Sequence, residues 1–137
     1  VRIAMVSNAA SGNEHMMGGL IARAAGGRLT IFGIGKVVGA AAPQILIANL
    51  DSPTNLNNIA LAESSFILGD LIWLKITDDK TNLVFSISDD GTEWIELLTV
   101  GRTSWLTAGA TGIGIGSRHA NAHTRESLTR LCSWYQG

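Results

Sequence analysis

The chain has 137 residues, 46% of them hydrophobic and only 15% charged. Leu, Ile, Val and Phe make up 38 residues, well above the roughly 20% below which chains stay disordered. One domain with a core of useful size is therefore expected. Ten Lys and Arg against eleven Asp and Glu leave a net charge of −1, which excludes the basic excess of a nucleic-acid binder.

The charge fraction is below the usual ~25%, so either much of the surface is uncharged polar or part of it is covered by something else. Charge is also uneven: Asp70 to Glu96 holds seven acids against Lys75 and Lys80, while Leu97 onward holds four arginines against Glu126. Cys132 is the single cysteine, which excludes an intrachain disulfide and a cysteine-based zinc site. It reads as a small apolar filler in a C-terminal strand. The longest apolar stretch, Val37 to Leu50, is broken by Pro43, Gln44 and Asn49, so no membrane insertion is expected. No secretory signal is read at the start, and an opening at Val1 fits either a processed product or one piece of a longer polypeptide.

In chain order, Val1–Val6 is a weak strand. Ser11-Gly12-Asn13-Glu14 has the form of a capping box, and Met16, Met17, Leu20, Ile21 and Ala24 follow at helical spacing, so the local pattern predicts a helix over Glu14–Ala25. Gly18-Gly19 in its middle weakens that reading by roughly 1 kcal/mol per glycine. Arg28–Ile34 and Gln44–Leu50 read as strands, followed by an oxygen-rich loop with Asp51, Asn55, Asn57 and Asn58. Leu71–Thr77 then alternates, with Ile72, Leu74 and Ile76 on one face and Leu71, Trp73 and Lys75 on the other. Asn82–Ser88 alternates likewise, and Glu93–Val100 returns as a third strand. The turns between them are Asp78-Asp79-Lys80-Thr81 and Ser88-Asp89-Asp90-Gly91-Thr92, with Gly91 at the position that needs φ > 0. Gly112–Ser117 and Ser127–Tyr135 complete the strands.

The stretches Trp73-Leu74-Lys75-Ile76, Asn82-Leu83-Val84-Phe85 and Ser88-Asp89-Asp90-Gly91-Thr92-Glu93-Trp94 together resemble concanavalin A-like jelly-roll domains (laminin-G-like and glucanase-like). The shared pattern is an aromatic-Leu-Arg/Lys-Ile strand, a turn, a strand ending near Phe or Tyr, then Ser-x-Asp-Gly-x-x-Trp. Gly19-Leu20-Ile21-Ala22-Arg23 is similar to an earlier strand of that family, which would make Gly18–Ala25 a strand, and we adopt this in place of the helix. Asp51-Ser52-Pro53-Thr54 and Gly112-Ile113-Gly114-Ile115 fit later positions. This version of the pattern is similar to copies in bacteriophage virion proteins: tail fibres, tail-tip appendages and capsid-decorating domains. The resemblance implies an all-β, two-sheet antiparallel jelly-roll β-sandwich over residues 1–137, located in the virion. It further implies contacts with other virion proteins and a homo-oligomer, or alternatively a lectin-like domain holding host-surface glycans.

Catalytic signatures are missing. Polysaccharide-cutting enzymes on this sandwich carry a Glu-x-Asp-x-x-Glu strand; here Glu93 and Glu96 stand three apart, on opposite faces if both lie on a strand. Gly112-x-Gly114-x-Gly116 is followed by Ser117 where a dinucleotide fingerprint needs its third glycine, and a bare glycine face suggests another backbone packed closely there. No Gly-x-Ser-x-Gly elbow occurs. We therefore expect no enzyme activity and no cofactor. His119 and His123, at i and i+4 and with His15 as a conceivable third ligand, are weak metal candidates, outweighed by a reading as polar loop residues. The Asp51–Asn58 and Asp78-Asp79 clusters lack the ligand density of a calcium loop and read as turns. For carbohydrate, Trp73 and Lys75 on one strand face, and Trp105 in the loop Arg102–Thr107, are the candidate binding residues.

Overall fold

The computed structural model describes residues 2–7, 16–37, 39–64, 72–106, 112–119 and 127–133. These form ten strands: β1 (Arg2–Ser7), β2 (Met16–Arg23), β3 (Leu29–Lys36), β4 (Gln44–Ser52), β5 (Asn55–Glu63), β6 (Ile72–Asp78), β7 (Asn82–Ser88), β8 (Ile95–Gly101), β9 (Gly112–His119) and β10 (Ser127–Ser133). They make two five-stranded sheets, ordered β10-β1-β6-β7-β8 and β5-β4-β3-β2-β9, in which neighbouring strands run antiparallel. The fold is all-β, as expected.

The sheets pack face to face because alternate residues of each are apolar. Ile72, Leu74, Leu83, Phe85 and Ile87 of the first sheet meet Leu20, Ala22, Phe32, Ile34, Ile45 and Ile47 of the second in one buried cluster. At its centre the Phe32 and Phe85 rings stand edge to face, 5.4 Å apart and inclined at 85°, the arrangement the ring quadrupoles favour. The second sheet is apolar on its other face too, where Met17, Leu29, Ile31, Leu46, Ala48 and Leu50 form a second buried cluster. That two-sided burial is why β3 and β4 read as nearly continuous apolar runs rather than as alternation.

Where local spacing pointed to a helix, β2 is a strand, and its glycines give the reason. Gly19 pairs with Gly33 of β3 and with Gly116 of β9. A Cβ at Gly19 would lie 2.1 Å from the Phe32 carbonyl oxygen, and one at Gly33 would lie 1.9 Å from that of Gly18. Gly19, one of the two glycines that weaken the helix, is thus the residue that lets β2 approach β3 at Gly33. β5 corrects a second expectation: Asn55, Asn57 and Asn58 lie on a strand, joined to β4 by a tight turn at Pro53-Thr54. Its half-buried Leu56, Ile59 and Leu61 supply the strand signal that the asparagines mask.

The meander β6-β7-β8 matches its sequence pattern, with one shift. β8 starts at Ile95, so Glu93 and Trp94 belong to the turn, and the opposite-face argument for Glu93 and Glu96 does not apply. β8 also contains a bulge: Phe85 pairs with Leu98 but Ser86 pairs with Glu96. The extra residue, Leu97, allows both Leu97 and Leu98 to pack against the core. The glycine face of β9 needs correction as well. It is the Ile21 side chain, not a backbone, that occupies the space beside Gly116, while Gly112 and Gly114 face open space. Finally, the chain ends pair in nested fashion, β1 with β10 in one sheet and β2 with β9 in the other.

Candidate functional site

The outer face of the first sheet gathers two of the three residues singled out for binding and adds Trp94, which in the sequence stands out only as the last residue of the Ser-x-Asp-Gly-x-x-Trp pattern. Trp73 and Lys75 alternate with buried Ile72 and Leu74 along β6, which puts them opposite Ser88 and Ser86 of β7. The β7–β8 turn carries Trp94 back over this face, where the Lys75 ammonium stands 4.0 Å from the centre of the indole. A cation over an indole face is attracted by the ring quadrupole. The Trp73 ring lies over the turn itself: a Cβ at Gly91 would stand 2.9 Å from Trp73 Cε2 and 3.1 Å from Nε1. Gly91 is thus needed for its φ of 84° and also for the room it leaves the indole.

The turn beneath Trp73 is held by one carboxylate. Asp90 Oδ1 accepts hydrogen bonds from the Ser88 hydroxyl at 2.9 Å and from the N–H groups of Thr92 at 2.7 Å and Glu93 at 3.0 Å. Its Oδ2 accepts from the Thr92 hydroxyl. The Ser88 hydroxyl oxygen in turn accepts from Gly91 N–H at 2.8 Å. These donors, the Thr92 hydroxyl foremost, hold the Asp90 carboxyl far below the usual carboxylate range. In the β6–β7 turn Asp79 accepts from the N–H groups of Asn82 and Thr81, and Asp78 accepts from Arg102 Nε at 2.8 Å. Both carboxyls are lowered, Asp79 chiefly by Asn82 N–H and Asp78 chiefly by the Arg102 guanidinium.

Trp105 does not join this group. It follows the end of β8 that pairs with Asn82, about 20 Å from Trp73 along β7 at ~3.3 Å per residue. Its indole N–H donates to the Leu29 carbonyl at 3.1 Å, and the Arg28 guanidinium carbon stands 4.7 Å from its ring centre. There it closes a narrow cleft between the sheets, lined among others by Thr30, Ile47, Asn49 and Leu83. The Thr30 hydroxyl donates to Asn49 Oδ1 at 2.8 Å inside it. Trp105 is thus engaged within the chain on both its polar edge and its face.

The oxygen-rich group around Asp51 is wired internally: Asp51 Oδ2 accepts from the side-chain amides of Asn57 at 3.2 Å and Asn55 at 3.5 Å. Arg28 Nε stands 3.9 Å from Asp51 Oδ1. These contacts brace the β4–β5 turn. Glu96 accepts from the Thr99 hydroxyl at 2.6 Å. His119 is the last residue of β9, in register with Met16, whereas His123 and His15 lie outside the described residues, as does Leu71. Among the described residues no three His, Cys, Asp or Glu side chains are grouped to hold a metal. What the outer face of β6–β8 offers chemically among the described residues is an indole-rich platform carrying Lys75, with Glu96 of β8 on the same face opposite Ser86. No protein-family model, curated protein or solved structure matches this chain.

Proposed function

We propose that the chain is a non-catalytic module of a bacteriophage virion, a concanavalin A-like jelly-roll sandwich that makes protein–protein contacts in the particle as a tail-fibre, tail-tip or capsid-decorating domain. The virion assignment rests on the sequence resemblance through the Trp73–Trp94 motif. The nested pairing of β1 with β10 and β2 with β9 supports the rolled-up connectivity of a jelly roll. One observation carries the choice of protein contact over sugar binding. The Trp73 and Trp94 indoles are engaged inside the chain, whereas the large apolar side chains left exposed among the described residues, Ile95 and Ile113, both lie on strands that end a sheet. Exposed apolar groups at such positions suit a protein surface.

The alternative, a lectin-like domain for host-surface glycans, is favoured by the convergence of Trp73, Lys75 and Trp94 on one face. A glycan array probed with the purified chain separates the two. The structural reading expects no glycan signal, together with specific labelling of intact particles by antibody against the chain. Binding to a defined glycan that is lost in Trp73→Ala, in a variant that keeps its melting temperature, would overturn it.

A further inference from the structure

Strand edges are where a β protein pairs with another chain, and natural sheets blunt them with bulges, charges and short length. Two edges here are blunted. β5 pairs with β4 through three register shifts and carries Asn55, Asn57, Asn58 and Glu63. β8 holds the bulge at Leu97 and carries Glu96. β9 is different: it runs eight residues against β2 without a register shift, and Gly112 to Ser117 contains no charge. Ile113 is 49% exposed on this edge.

We propose that β9 is a dimerisation edge, pairing antiparallel with β9 of a second copy of this chain about a two-fold axis and so joining the two second sheets into one. This rests on the reading above that the chain works through protein contacts, and it names the strand and the partner. A second copy fits because two identical strands paired antiparallel are self-complementary, each copy satisfying in one step the backbone groups of β9 that no described strand of the other pairs. The register centred between Gly114 and Ile115 sets the uncharged residues Gly112 to Ser117 of the two copies against one another and leaves the two Arg118 residues at opposite ends of the pairing. Burying Ile113 of both copies adds apolar area where each chain now exposes it. The far edge of the same sheet is β5, whose shifts discourage further growth, so assembly closes at two copies instead of extending as a fibre.

Sedimentation equilibrium of the 137-residue chain over a wide concentration range tests this. The wild type is expected at twice the 14.4 kDa chain mass, with Gly114→Lys and Ile113→Lys at the mass of one chain and Ile95→Lys still dimeric. A Cβ at Gly114 meets nothing within 4 Å, so that variant keeps its fold even if Ile113→Lys does not, as far-UV circular dichroism and melting temperature will show. A monomeric wild type, or a dimer that survives both β9 substitutions, overturns the proposal. Loss of the dimer only in Ile95→Lys also overturns it, moving the contact to β8 while leaving the protein-contact reading standing. Failure of that reading would instead show as Trp73-dependent glycan binding, whatever the mass.

Discussion

Gly19 and Gly33 face each other across β2 and β3 so closely that the Cβ of either would enter the backbone of the other strand. Main-chain atoms cannot rotate aside as a side-chain tip does, so an alanine at either position forces the strands apart. Gly19→Ala and Gly33→Ala are each expected to cost ~1–3 kcal/mol or more. Gly112→Ala, which faces open space, should cost far less. Urea unfolding of the three variants checks the ranking; equal midpoints would show that the close approach is not needed.

Gly91 answers to two demands at once, a left-handed backbone and the indole of Trp73. Gly91→Ala is therefore expected to lose on the order of 1–3 kcal/mol through strain and crowding together. In a Trp73→Ala background the crowding is gone and only the backbone strain remains, so the cost of Gly91→Ala should shrink. A double-mutant cycle by chemical denaturation reads this directly, and a cost that stays constant in both backgrounds contradicts the contact.

Beside the Trp73 ring over Gly91, the contact of Lys75 with Trp94 ties β6 to the turn entering β8. A coupling of about 0.5–1 kcal/mol is expected for a cation over an indole near the surface. The cycle of Lys75→Met and Trp94→Leu measures it, and raising the salt concentration should erode it only partly, since the indole shields one side of the ammonium. A coupling of zero would mean that Lys75 merely passes over the ring.

Acid should destabilise the two hairpin turns together. The carboxyls of Asp78, Asp79 and Asp90 are all lowered by the donors that surround them. A carboxyl whose folded pKa is depressed contributes stability that is fully present above its unfolded value of ~3.9 and is lost as pH falls through the folded value. The melting temperature is thus expected to hold from neutral pH to about 5, as far as these groups control it, and to fall below about 4. Asp90→Asn, already deprived of its charge, should show a lower melting temperature at neutral pH and a shallower acid decline.

The elements most readable from sequence were those in which one face is buried and one is not. Ile72 and Leu74 alternate with Trp73 and Lys75, Phe85 and Ile87 with Ser86 and Ser88, and the hairpins follow from Asp79 and Asp90-Gly91. β2 was ambiguous because its apolar residues satisfy helical and strand spacing alike; the family resemblance favoured the strand, and the reason for its glycine lies in Gly33 of β3, fourteen residues away. β5 was hidden because its asparagines bond to Asp51 and pair along β4, contacts that have no signature in a single strand. At the platform, Trp73 and Lys75 were legible as one strand face. Trp94 arrives there through the turn geometry, and Trp105 turns inward because the Leu29 carbonyl, far away in sequence, waits for its indole N–H.

The nested pairing of the chain ends carries a consequence for how the molecule assembles. β2-β3-β4-β5 and β6-β7-β8 are each local, closing loops of a few residues, whereas β1 must find β10 and β9 must find β2 across nearly the whole chain. Long-range closures are the slow steps of folding because their chain entropy is lost before their contacts form. The two meanders are then the early units, and β1, β9 and β10, which close on them from far along the chain, are the late ones. The edge at β9 therefore becomes competent for another chain only after β9 has closed on β2.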